Sequence, residues 1–388
     1  MKKICLTVFF MLFIFVSCEN TSPDLNYIKI DNIMFVSAGN ASSYVISENG
    51  DLWAWGSNST GQFGNDENVY YSVSGVAHNK VMENVRYVSA SGGGANRHVG
   101  GYVLAIKNDN TLWAWGRNSS GELGIGYLSY MNPTPQQILD DVHMVSAGFT
   151  HAAAVKTDGS LWIWGCNCSG KYGDGTTESS SLPVKVKDNV VAVSAGLTHT
   201  AAILDDGSLW VWGSNTFGEI GDGTNINRLY PVKIMDNVVA VSASFHFTMA
   251  ITENGDLWAW GDNLNGQLGN DTLESSNVPE KIMSNISYVS AGISFILAID
   301  DNSNLWAWGD NINGQLGDGT RNSSLSPIYI KNNVISVSTG GWLGLEYVLA
   351  IDSNGALWSW GNNLLGQLGN GNTQDFTLPI EISYWVVR

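Results

Sequence analysis

Apolar and polar residues alternate with a period of two along short runs, and the runs recur. Between residues 183 and 213 they are Pro183-Val184-Lys185-Val186, Val190-Val191-Ala192-Val193-Ser194-Ala195-Gly196, Thr198 to Leu204, and Ser208-Leu209-Trp210-Val211-Trp212-Gly213. Each is bounded by turn-forming residues, so the pattern predicts four short strands joined by tight turns, as in one propeller blade. The last run belongs to a motif, Leu-Trp-x-Trp-Gly, that starts at Leu52, Leu112, Leu161, Leu209, Leu257, Leu305 and Leu357. Its closing glycines are 60, 49, 48, 48, 48 and 52 residues apart. A fixed period near that length predicts one supersecondary unit stacked into an array or closed ring.

Turn chemistry supports this unit. The third and fourth runs are joined by Asn49-Gly50, Asp158-Gly159, Asp206-Gly207, Asn254-Gly255 and Asn354-Gly355, pairs suited to the left-handed backbone of a two-residue hairpin. Asn110 and Ser303 take the glycine place in the other two repeats. Alternation puts both tryptophans of a motif on one sheet face, where a neighbouring blade can bury them. Ser-Ala-Gly recurs at 37–39, 146–148, 194–196 and 290–292, small residues suited to inner strands crowding one axis.

The net charge is −17, and loss of Lys2 and Lys3 with a leader would deepen it. Such a field repels phosphate backbones, so nucleic-acid binding is not expected; a basic partner is favoured. Lys2-Lys3, an apolar run from Ile4 to Val16, and Ser17-Cys18 read as an export signal over residues 1–17. Phe15-Val16-Ser17-Cys18 resembles the lipobox of bacterial lipoproteins, with Phe15 departing from the usual Leu. That resemblance implies lipidation of Cys18, a short tether over 18–26 and an envelope location; ordinary secretion is the alternative. Cys166 and Cys168 are expected to be two incidental thiols, although a local disulfide is open.

Each Leu-Trp-x-Trp-Gly continues as x-Asn-x-x-Gly-x-x-Gly, as in Asn263-Leu264-Asn265-Gly266-Gln267-Leu268-Gly269, and alternates with Val-Ser-Ala-Gly. Over about residues 27–388 this resembles the repeat of the regulator of chromosome condensation family. The resemblance implies an all-β, seven-bladed β-propeller after a cleaved signal peptide. The eukaryotic founder is a nuclear nucleotide-exchange factor that docks on chromatin; this acidic, exported-looking chain lacks a basic tail. A secreted bacterial type of similar fold inhibits β-lactamases by binding with one face. Either Tyr27-Ile28-Lys29-Ile30 or Pro379-Ile380-Glu381-Ile382 is expected to complete a shared blade and so close the ring.

Two repeats break the spacing. From Ala147 to Ala154 and Ala195 to Ala202 the step is seven residues, but Ala90 to Ala105 takes 15 and Thr339 to Ala350 takes 11. Both insertions fall in the same inter-strand loop of repeats flanking repeat one, so both project from one rim. A binding patch of Arg97, His98, Tyr102, Trp342 and Leu343 is therefore the candidate site, Trp and Arg being favoured interface anchors. The alternative is drift in tolerant loops, with Trp342 tucked over a blade end. His151 and His199 read as repeat-encoded packing residues bonding a neighbouring backbone, and Asp174-Gly175-Thr176, Asp222-Gly223-Thr224 and Asp318-Gly319-Thr320 as turns rather than calcium loops. No nucleophile, zinc or phosphate-loop motif stands out. The expected protein is a monomeric, non-enzymatic, protein-binding propeller on the bacterial cell envelope, without cofactor or metal, reaching the membrane only through its lipid. A carbohydrate-binding or glycan-cleaving propeller and an enzyme inhibitor of the β-lactamase type are the alternatives.

Overall fold

The computed structural model describes residues 26–28, 32–65, 77–92 and 100–387. Seven four-stranded antiparallel sheets follow one another along the chain, each built from consecutive strands. In the fourth blade these are Val190–Ala195, His199–Leu204, Leu209–Gly213 and Arg228–Met235, innermost to outermost. The first blade begins with Ile33–Ala38 and the seventh ends with Phe376–Glu381. The seven-bladed β-propeller is thus the fold.

The phase of the repeat differs from expectation by one strand. Pro183 to Val186 lies in Ser180–Lys187, the outermost strand of the preceding blade. The reason is the turn after it, where the chain steps inward to the next innermost strand. Each such turn has a residue with positive φ, namely Asn84, Asp141, Asn189, Asn237, Asn285 and Asn333, and Asn32 takes the same conformation before the first blade. Asn and Asp tolerate that conformation because their short polar side chains bond locally. The predicted hairpins are in place, with Asn110 at φ 65° and Ser303 at φ 60° where the other repeats use Gly.

Ring closure also differs. Among the described residues no blade is shared between the chain ends: the Pro379 segment completes blade seven, blade one has its own outermost strand, Asn79–Met82, and Asn26–Ile28 pairs with Trp385–Val387 in a separate two-stranded ribbon. Side chains do the closing. The second tryptophan of every motif is buried and donates its indole N–H to a backbone carbonyl of the preceding blade, at 2.7–3.0 Å: Trp115 to Gln62, Trp164 to Glu122, Trp212 to Lys171, Trp260 to Glu219, Trp308 to Gln267, Trp360 to Gln315, and across the seam Trp55 to Gln367. A second ring lies at the axis. Ser37, Ser89, Ser146, Ser194, Ser242, Ser290 and Ser338 each accept an N–H from the next blade's innermost strand, Ser338 closing onto Ala38.

Burying an indole of about 200 Å² contributes on the order of 5 kcal/mol before conformational entropy is charged against it. The acceptor carbonyl is presented by a turn that the motif asparagine holds, as Asn263 Oδ1 does by accepting the Leu268 N–H at 2.9 Å. The glycine after it approaches the indole too closely for any side chain. At Gly221, φ is +85° and a Cβ would lie 2.6 Å from Trp260 Nε1, whereas at Gly223, φ +79°, the nearest atom would be 3.9 Å away. Gly221→Ala should therefore lower stability by roughly 2–4 kcal/mol, against about 1 kcal/mol for Gly223→Ala. Urea unfolding followed by tryptophan fluorescence measures both; equal shifts would contradict the inter-blade account.

Candidate functional site

One face of the ring carries the loops between first and second strands and those between third and outermost strands, because the second strand begins opposite the end of the third, as Ser42 opposite Gly56. The described ends of both long insertions belong to it. They clasp blade one: Asn40 N–H donates to Ser91 O at 2.9 Å, Thr60 Oγ1 to Gly101 O at 3.0 Å, and Gly341 N–H to Gly39 O at 2.9 Å. The described ends of the two insertions thus lie at one rim.

Of the predicted patch, Tyr102, Trp342 and Leu343 lie among the described residues, and they take three different environments. Arg97 and His98 lie outside the described residues, as do residues 1–17, expected to be an export signal, and Cys18. Tyr102 is fully buried and donates its hydroxyl to His151 O at 2.6 Å, so it is a packing residue. It opens a second strand, where His151, His199 and Tyr347 likewise bond the next blade. Trp342 turns away from blade one and reaches across the axis. Its ring meets Phe149 of blade three at 5.6 Å and Phe245 of blade five at 5.7 Å, both edge-on. His246 extends the cluster, edge-on to Phe245 at 4.4 Å and tilted against Phe217 at 4.6 Å. The channel mouth is therefore capped by aromatic rings.

Below the cap lies an arc of buried charge. The residue after the first motif glycine is Gln62, Gln267, Gln315 or Gln367 in four blades, but Glu122, Lys171 and Glu219 in blades two to four. The glutamine and glutamate side chains accept one N–H of their own turn, as Gln315 does from Asn313 and Glu219 from Phe217. Lysine has no acceptor, so Lys171 instead donates to Thr150 Oγ1 at 2.8 Å; burial pushes its ammonium down to about 8. Arg117 pairs with Glu122 at 2.7 Å and donates to Phe149 O at 2.7 Å. His246 faces Glu219 at 3.7 Å. His151 and His199 bond the Thr200 and Thr248 hydroxyls of the next blade at 3.0 and 2.9 Å, rather than backbone, and burial lowers both. The Asp-Gly-Thr segments are turns, with Asp174, Asp222 and Asp318 accepting the Thr N–H two residues on. Among the described residues, no three His, Cys, Asp or Glu side chains gather to hold a metal ion.

Leu343 remains a surface residue, 60% exposed, and it has company that spacing alone did not reveal. Leu264, Ile312 and Leu364 occupy one loop position in blades five, six and seven, each more than 60% exposed. Ser59, Ser119 and Thr216 hold that place elsewhere, so comparison of the repeats would have found them. Asn362 Nδ2 donates to Gly344 O at 3.3 Å, and Asn313 Nδ2 to Glu346 Oε2 at 2.6 Å, which seats the Leu343 loop beside Ile312 and Leu364.

A family profile described as RCC1-like domain matches residues 132–385, and one described as regulator of chromosome condensation (RCC1) repeat matches residues 35–62. Protein RCC2 homolog of Xenopus laevis is 31% identical over 102 residues, covering 26% of this chain and 18% of that protein's length. Human WBSCR16 is similar in structure, with a TM-score of 0.73 at 21% identity, covering 86% of this chain and 93% of that one. Prp20p of Saccharomyces cerevisiae gives 0.70 at 20% identity, covering 82% of each. These two structural likenesses concern the fold.

Glu346 ties the Leu343 loop to pH. It is buried, accepts N–H groups from Asn313 and Gly344, and burial raises its carboxyl to about 7, with Asp310 adding to the rise. Its folded value lies above the ordinary 4.5, so its contribution to stability is fully present below that value and is lost as pH rises through about 7. The shift corresponds to about 3 kcal/mol. The stability of the native chain relative to Glu346→Gln should fall by about that amount between pH 4.5 and 8, His151 and His199 titrating alike in both. A pH-independent difference in urea unfolding would contradict this.

Proposed function

The chain belongs to the RCC1-like family, and on that premise we propose that it is a non-enzymatic propeller that binds a protein partner on its loop face. The observation that carries this reading is the row of exposed Leu264, Ile312, Leu364 and Leu343 on blades five to seven. Neighbouring exposed aliphatic side chains at one rim mark an interaction surface more often than a solvated one. The net charge of −17 suits a partner with basic groups around an apolar centre. The similar yeast Prp20p is described with binding properties to Gsp1p and histones, which supports protein recognition as a use of this scaffold. The edge-on rings at the channel mouth serve glycan stacking less well than a flat face would.

In the same reading the propeller is held at the bacterial cell envelope by a lipid on Cys18. Lys2-Lys3, the apolar run Ile4 to Val16 and Ser17-Cys18 support this. Metabolic labelling with a fatty acid should mark the native chain and not Cys18→Ala; labelling of both would remove the anchor from the account. For the binding face, chain immobilised with Leu343→Asp and Leu364→Asp should retain a partner of the native chain at least about tenfold less well, with circular dichroism unchanged. Equal retention would move the site off this face, and retention of soluble glycan in place of protein would replace the reading.

A further inference from the structure

The third-to-outermost loop of blade three differs from its six counterparts in containing a disulfide. Cys166 and Cys168 are bonded across Asn167, their Cα atoms 5.5 Å apart, so the incidental thiols expected of the pair give way to a local bridge. The loop does not need it. Asn167 N–H donates to Ser179 Oγ at 2.9 Å, its Oδ1 accepts from Tyr172 N–H at 2.9 Å, and its Nδ2 donates to Thr176 O at 3.1 Å. Asn215 makes the equivalent three bonds with Asn227, Ile220 and Thr224, and Asn363 with Asp375, Leu368 and Asn372, where no cysteine is present. Blade one has Ser57-Asn58-Ser59 in the same place. A bridge spanning one residue also closes the shortest of loops, so it excludes few unfolded conformations. As a staple it is redundant.

Its surroundings suit exchange. Cys168 is exposed on the loop face, at the position of Leu264, Ile312 and Leu364, while Cys166 is only partly exposed. The Cys168 N–H donates to Cys166 Sγ at 3.3 Å. One sulfur is therefore open to attack, and the other has a hydrogen-bond donor in place for the negative charge it would carry on leaving.

We propose that Cys166–Cys168 is a thiol–disulfide exchange site that accepts two electrons from thiols. A thiolate attacks Cys168 Sγ, forming a mixed disulfide; the Cys166–Cys168 bond breaks and its electron pair leaves on Cys166 Sγ, held by the Cys168 N–H. A second thiolate attacks the incoming sulfur, forming the thiol's own disulfide and releasing Cys168. Two thiols are oxidised, the bridge is reduced to two cysteines, and the protons of the thiols pass to them. The thiol is that of a small molecule or of a protein cysteine.

The full chain would be equilibrated in glutathione buffers of graded ratio and its cysteines alkylated and mapped by peptide, separating Cys166 and Cys168 from Cys5 and Cys18. The bridge should become half-reduced while tryptophan fluorescence stays native. Cys166→Ser should take a glutathione adduct on Cys168 about tenfold or more faster than Cys168→Ser takes one on Cys166. Cys166→Ser with Cys168→Ser together should leave Tm unchanged. A reduced, unfolded, cysteine-bearing polypeptide run beside glutathione tells a protein thiol from a small one by which forms the faster adduct. A bridge that resists both until the chain unfolds, equal adduct rates at the two sulfurs, or a lowered Tm in the double variant would overturn the proposal.

Discussion

The hydrogen bond from each buried indole to a carbonyl of the preceding blade is the constraint around which the repeat is built. It reaches from blade to blade without a shared strand, and Trp55 to Gln367 repeats it at the seam between first and last blades. Much of the motif follows from making that acceptor available. The asparagine holds the turn, the first glycine gives its left-handed residue, and the second stays bare because the indole lies against it. An unmet indole N–H in that apolar contact would cost more than the bond gains, which keeps the arrangement uniform around the ring.

Because tryptophan, asparagine and glycine are committed to this lock, variation is confined to the positions between them. Those positions lie on one face. There the chain places the exposed Leu264, Ile312 and Leu364, the Cys166–Cys168 bridge, and the Arg117–Glu122 and Lys171 groups under the aromatic cap. The two lengthened loops lean on blade one by backbone bonds, yet Trp342 crosses to blades three and five. A scaffold with identical interfaces thus acquires an asymmetric face.

The repeat, its hairpins and its small inner strands were legible because each rests on local chemistry: Asn-Gly and Asp-Gly turns, period-two alternation, and Ser-Ala-Gly. The blade's phase was less so, since four strands in series can be grouped from any of them; the asparagines at Asn84, Asn189 and Asn237 mark the boundary once φ is known. Closure was not legible, because a side-chain bond takes the part that an open sheet edge leads one to expect of a shared strand. In the site, the loops that carry the insertions are legible from spacing, and Leu343 is exposed there. The burial of Tyr102 is not legible, because its place at the start of a second strand outweighs its nearness to an insertion. The partners of Trp342 lie two and more blades away, beyond anything spacing encodes.

Exchange of the indole N–H groups in deuterated water, read by NMR on chain with labelled tryptophan, tests the ring lock most directly. Trp55, Trp115, Trp164, Trp212, Trp260, Trp308 and Trp360 should exchange as one protected set, with Trp55 as slow as the others, while the half-buried first tryptophans of the motifs exchange sooner. Rapid exchange at Trp55 with protection kept at the other six would show that the seam is not closed by this bond.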